Sequence, residues 1–134
     1  MNLVSIRIIT EDVKKLIKFY EQLSGIAAIR YTDDFAELQT SSATLGIGST
    51  RTLQFFGGDE VARAAHNRTA IIEFMVLDID DEYKRLENFL QSYIVQKPTL
   101  MPWGNKSLLF RDPDGNLVNL FTPVSTQAIN KFKK

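Results

Sequence analysis

The chain contains no cysteine, which excludes a disulfide frame, a thiol nucleophile and a zinc–thiolate centre together. Histidine is nearly absent too. The single one, His66, sits in the polar stretch "AAHNR", where a solvated surface position is the ordinary reading, and without a nucleophile elbow a serine triad is out of reach. Net charge is also lacking, because sixteen basic and sixteen acidic residues cancel. No global field therefore draws in nucleic acid or an anionic membrane, and recognition has to be local. No apolar run approaches the roughly 20 residues of a membrane span, and the opening "MNLVSIRIITEDVKK" has no basic n-region before an apolar stretch. A soluble, cytoplasmic protein is the expectation. Neither "GIGSTR" nor "FFGGDE" matches a phosphate loop or a dinucleotide fingerprint, and the basic end "NKFKK" is short enough to be a solvated terminus.

What is present is enough apolar material for a core: of 134 residues 44% are apolar, and aromatics make up 10% of the chain, sufficient for one compact domain. "LVSIRIIT" alternates and is rich in β-branched residues, as a strand requires. Thr10 or Asp12 then caps a helix in which Val13, Leu16, Ile17, Tyr20 and Leu23 recur at helical spacing, and Gly25 ends it. "FAELQT", "ATLGIGS" and "TLQFF" read as three strands. "GGDEVARAAHNR" breaks the pattern as a linker or short helical loop. Beyond it, "TAIIEFMVLD" is a strand and "DIDDEYKRLENFLQSY" a helix. "IVQKPTLMPWG", "KSLLFRD" and "LVNLFTP" are further strands, and "STQAINKFKK" is a basic helix or tail.

That order is one strand, one helix and three strands, written twice. Moving "SIRIITEDV" by 66 positions lays it over "IIEFMVLDI", so that Asp12 matches Asp78 and Val13 matches Ile79. Moving "TLQFF" by 65 lays it over "LVNLF" and sets Gln54 opposite Asn119, an amide that interrupts an otherwise apolar strand face. Between the last two strands, "RDPDGN" carries the residues of a hairpin turn: Pro113 presets φ, Asp112 can accept a local amide bond, and Gly115 supplies the exit conformation.

The opening "IRIITEDVKKLIKFYEQLSGI", with Asp12, Lys15, Phe19 and Tyr20 on its helix, and the closing "MPWGNKSLLFRDPDGNLVNLF" resemble the glyoxalase, bleomycin-resistance and dioxygenase superfamily, also called vicinal oxygen chelate (VOC) proteins. The resemblance covers nearly the whole chain. It implies an α+β fold of two tandem βαβββ modules with mixed sheets forming a half-barrel cup. The modules would span about residues 1–57 and 69–124, with a linker at about 58–68 and a tail or helix at 125–134. It also implies a homodimer, and ligand positions for a divalent metal on the first and last strands of each module. In this chain those positions hold Ser5, Gln54, Ile71 and Asn119. A catalytic divalent ion wants about three imidazole or carboxylate ligands, and an isoleucine cannot coordinate at all. No cofactor is therefore expected, the alternative being a divalent metal as in relatives.

Strand alternation then puts Leu3, Arg7, Ile9, Glu73 and Met75 on the cup wall. Arg7 and Glu73 are repeat-equivalents, and a lone charge there is costly, so they are expected either to pair or to bind a ligand between them. Ser5, Gln54 and Asn119 can bind ligand or satisfy one another as a polar core. Trp103, on a loop between proline and glycine, offers either a stacking surface or a plug for the barrel end. Phe56, Glu37 and Arg111 are further candidates. Three functions remain open: a binder that sequesters a small, partly aromatic molecule, a superfamily enzyme using a metal or Glu73 as general base, and a regulatory domain whose cup is filled by its own side chains.

Overall fold

A computed structural model describes residues 1–133, so Lys134, the end of the expected tail, lies outside the described residues. The chain divides into two compact units, one of Met1–Asn67 with Pro113–Gly115, the other of Arg68–Asp112 with the residues from Asn116 onward. Each carries a βαβββ motif and a four-stranded mixed sheet, and neither sheet closes into a barrel.

In the first unit, β1 (Ser5–Thr10) leads into α1 (Val13–Ser24), followed by β2 (Ile29–Thr32), β3 (Phe35–Gln39) and β4 (Thr44–Ser49). The sheet order is β1-β4-β3-β2, with β1 and β4 parallel. Asp12 caps α1 by accepting from the Lys15 amide at 3.1 Å, and Gly25 closes it in the left-handed region at φ 72°, which only a residue without Cβ adopts freely. Val13, Leu16, Ile17, Tyr20 and Leu23 are buried, as are Ala36, Leu38, Leu45 and Ile47 on alternate positions of the strands that α1 contacts. This helix-covered side is the core.

In the second unit, β5 (Ile71–Met75), α2 (Ile79–Leu90), β6 (Ile94–Leu100), β7 (Asn105–Arg111) and β8 (Leu117–Pro123) repeat the motif in the order β5-β8-β7-β6. Asp78 caps α2 as Asp12 caps α1, accepting from the amides of Asp80 and Asp81. Ile79, Leu86, Leu90, Leu108, Phe110, Val118 and Leu120 form the core under α2. A third helix, α3 (Thr126–Phe132), is capped by Ser125 and sets the Phe132 ring 5.4 Å from that of Phe121. Phe121 lies on the sheet side away from α2, so α3 covers part of that side.

The hairpin between β7 and β8 forms as its residues require. Asp112 accepts both the backbone amide and the side-chain amide of Asn116, at 2.9 and 2.8 Å, and Gly115 takes φ 83°. Two strand assignments need correction. "TLQFF" is not a strand: Thr50–Phe55 forms a 3-10 helix in which the Thr52 hydroxyl donates to the Ser49 carbonyl at 2.7 Å, so a local side-chain bond outcompetes extension. The missing strand is "IRYT", β2, too short to stand out from its loops. Residues 58–68, expected as a linker, hold turns and irregular chain.

Candidate functional site

Moving the last strand of the first module from residues 52–56 to 44–49 changes which residues are equivalent. Arg7 pairs with Gly46, as Glu73 pairs with Asn119. The first-module counterpart of Asn119 is therefore Gly46, and Gln54 is an exposed residue of the 3-10 helix. Gly46 has no side chain to coordinate anything, so the corrected set of Ser5, Gly46, Ile71 and Asn119 holds neither an imidazole nor a carboxylate. Among the described residues, no three His, Cys, Asp or Glu side chains gather where they could hold a metal ion. The donor set does not fit the divalent centre that the resemblance implies.

On the side of the first sheet away from α1, alternation places Ser5, Arg7 and Ile9 of β1, Gly46 and Gly48 of β4, and Phe35, Glu37 and Gln39 of β3. The glycines leave this side low, and their neighbours lie across it. A Cβ on Gly46 would stand 3.4 Å from the Phe35 ring, and one on Gly48 would stand 3.6 Å from Arg7 Cδ. The Arg7 guanidinium carbon sits 4.1 Å from the Phe35 ring centroid and 4.9 Å from that of Phe56. Phe35 stacks in turn on Tyr31, with centroids 5.7 Å apart and planes 17° apart. The Tyr31 hydroxyl donates to Glu37 Oε1 at 2.9 Å, and the Gln39 amide donates to the same oxygen at 3.2 Å. Donation to the Glu37 carboxylate pushes the Tyr31 phenol above its usual pKa. The exposed Phe56, Tyr31 and Arg7 and the half-buried Phe35 thus form one surface cluster. Of the sequence candidates, Phe56 lies in this cluster and Glu37 beside it through the Tyr31 hydroxyl; Phe35 and Tyr31 are not singled out by the sequence.

Arg7 and Glu73, expected on a desolvated cup wall, are both exposed. Each has a partner within its own unit: Arg7 the two rings, Glu73 the Asn119 amide, which donates to its Oε2 at 2.8 Å. Asn119 itself is buried, with 8% of its surface exposed, and its Oδ1 has no hydrogen-bond partner among the described residues. Ser107 Oγ is likewise buried without one. Ser5 is exposed on β1, and Ile71 is half exposed on β5. Trp103 lies on the turn between β6 and β7 with 66% of its surface exposed, so it does not plug the interior of its unit. That turn is held firmly, since the Gly104 carbonyl accepts from the amides of Val124 and Ser125 at 2.8 and 3.0 Å. Arg111 is half-buried at the end of β7.

His66 borders an open cleft of about 430 Å³ with Glu11, Arg51, Asp59 and Arg63. Mixed charge and breadth give that cleft little selectivity. Asp34 nearby receives the Ser49 hydroxyl at 2.8 Å and Arg51 Nε at 2.7 Å, which hold its carboxyl below the usual range. No helix among the described residues is long and apolar enough to cross a membrane.

Two βαβββ units in tandem, each with its parallel first and last strands, leave few fold families to consider, and the family model "Glyoxalase/Bleomycin resistance protein/Dioxygenase superfamily" matches residues 2–120. The chain belongs to that superfamily. It is 24% identical over 125 residues to the uncharacterized protein YraH of Bacillus subtilis, covering 90% of this chain and 98% of the relative. Among solved structures, it is similar to a glyoxalase/bleomycin resistance protein/dioxygenase family enzyme from Burkholderia phytofirmans, with TM-score 0.81, 16% identity and coverage of 92% of this chain and 100% of that one. A second, from Nocardioides, has TM-score 0.75 and 18% identity, with coverage of 94% and 85%. At such identities these structures speak for the VOC fold alone.

Proposed function

We propose that this VOC protein is a metal-free binder of a small, partly aromatic organic molecule, which it takes up on the exposed side of the first sheet in a sequestering role. The observation that carries the reading is the cluster of Tyr31, Phe35, Arg7 and Phe56 lying over a glycine floor. Exposed aromatic rings cost solvation unless something covers them, and rings flanking a cation offer both stacking area and a polar handle. Glu37, Gln39 and Ser5 supply hydrogen-bonding groups on the same side. On this reading no cofactor takes part. The test is a thermal-shift screen of aromatic small molecules in the presence of a chelator. Stabilisation that survives chelation and is lost in Phe35→Ala and Phe56→Ala supports the reading; stabilisation that appears only with added divalent metal overturns it.

A second reading, a metal-free enzyme, is favoured by one specific contact. The Asn119 amide donates to Oε2 of the exposed Glu73 carboxylate, an arrangement suited to a general base. Glu73→Gln would abolish any such turnover while leaving ligand binding intact. Assembly as a homodimer is part of the proposal and is supported by the exposed Leu3, Val4 and Ile6 on and before the edge strand β1. Light scattering of the purified protein would test it.

A further inference from the structure

The proposed binding reading can be taken one step further, to the chemical class of the ligand, through the environment of Arg7. The Arg7 side chain is exposed, yet its course is defined. Its stem crosses Gly48, and its guanidinium meets the rings of Phe35 and Phe56 at 4.1 and 4.9 Å. An exposed arginine ordinarily samples many rotamers, and fixing it costs conformational entropy. Here the rings fix it in advance. They do so without satisfying it, because aromatic faces accept no conventional hydrogen bond from all five N–H groups. Among the described residues, no carboxylate, carbonyl or amide oxygen takes a hydrogen bond from Arg7. The carboxylate on the same side, Glu37, is engaged instead by Tyr31 and Gln39. Charge is therefore held in place but not neutralised.

We propose that Arg7 is an anion anchor, and that the molecule bound on this side carries an oxyanionic group, a carboxylate or a phosphate, on a planar apolar body. The anion takes the free N–H edge of the guanidinium in a charge-assisted, forked contact. The body lies against Phe35, Phe56 and Tyr31. The glycines suit this geometry: a Cβ at Gly48 would crowd Thr52 Oγ1 at 3.1 Å and would lie in van der Waals contact with Arg7 Cδ at 3.6 Å.

The experiment follows the side-chain Nε–Hε resonance of Arg7 by NMR while benzoate, phenyl phosphate or benzamide is titrated into the full chain. The expected result is a saturable shift with benzoate or phenyl phosphate, and little with neutral benzamide. The stronger of the two anions names the oxyanion. Arg7→Lys keeps the charge but loses the fork, and should weaken anion binding at least tenfold, the order of one lost charge-assisted hydrogen bond. Phe56→Ala, a change at an exposed ring, should weaken it less. The inference is overturned if neither anion moves Arg7, or if Arg7→Lys, still folded by its melting curve, binds both anions as the wild type does. Equal binding of benzamide would also overturn it while leaving the small-molecule binding reading standing.

Discussion

The guanidinium carbon of Arg7 lies 4.1 Å from the centre of the Phe35 ring, and Phe35 is itself stacked on Tyr31. One ring thus links the first strand of the sheet to the last in its order. Removing it by Phe35→Ala should cost about 2 kcal/mol, since two ring contacts and half-buried apolar area are lost together. Arg7→Ala should cost only about 0.5–1 kcal/mol, the value of an exposed cation–π contact. Urea denaturation of the two variants would check the ratio; equal costs would contradict the geometry.

Gly104 marks a close approach between the β6–β7 turn and the start of α3. It sits at φ 91°, and a Cβ there would fall 2.0 Å from Ser125 Oγ and 2.7 Å from Ser125 Cβ. Gly104→Ala must therefore both strain the backbone and push Ser125 from its capping position on α3. The expected loss is about 2 kcal/mol or more, with amide exchange at Ala128 and Ile129 accelerating before exchange in β7 and β8. Uniform acceleration across the unit would show that α3 is not anchored there.

Asn119 donates to Glu73 Oε2 at 2.8 Å from a buried position. Asn119→Asp replaces that donor with a second carboxylate, so a hydrogen bond gives way to repulsion between two like charges. The repulsion is absent while either carboxyl holds a proton and grows as pH rises. The variant should therefore lose stability from acid toward neutral pH, relative to wild type. Denaturation at several pH values would show it, and a pH-independent difference would contradict the contact.

The Tyr31 phenol is raised because its hydroxyl donates to Glu37. The folded protein thus holds this proton above the ordinary phenol value, and the contribution, present at lower pH, is lost as pH climbs through the raised value. Ultraviolet titration should show a late-ionising phenol component that is missing in Tyr31→Phe. In Glu37→Gln that component should move back toward the ordinary range.

The repeat was legible because its strongest signals are local. Asp12 and Asp78 cap their helices by the same side-chain bond, and the helical spacing behind them survives in each half. The registers of the two closing strands were not equally legible. "TLQFF" has the composition of a strand, and what prevents one is the Thr52 bond to the Ser49 carbonyl, which composition does not reveal. That displacement hid Gly46 and Gly48, whose alternation in "LGIGS" is the signal that a neighbour must lie across the sheet. It also hid Phe35 and Tyr31, whose meeting depends on the short strand β2 and its irregular pairing with β3. Arg7 was legible as a residue of interest from its strand position, although its aromatic neighbours were not.

The most direct test of the central proposal, binding without a metal, is elemental analysis of the purified protein by mass spectrometry after equilibration with nickel, zinc, iron and manganese and exhaustive dialysis. The donor chemistry of Ser5, Gly46, Ile71 and Asn119 predicts no stoichiometric metal. One equivalent of any of these ions retained per chain, and lost in Glu73→Gln or Glu37→Gln, would contradict it.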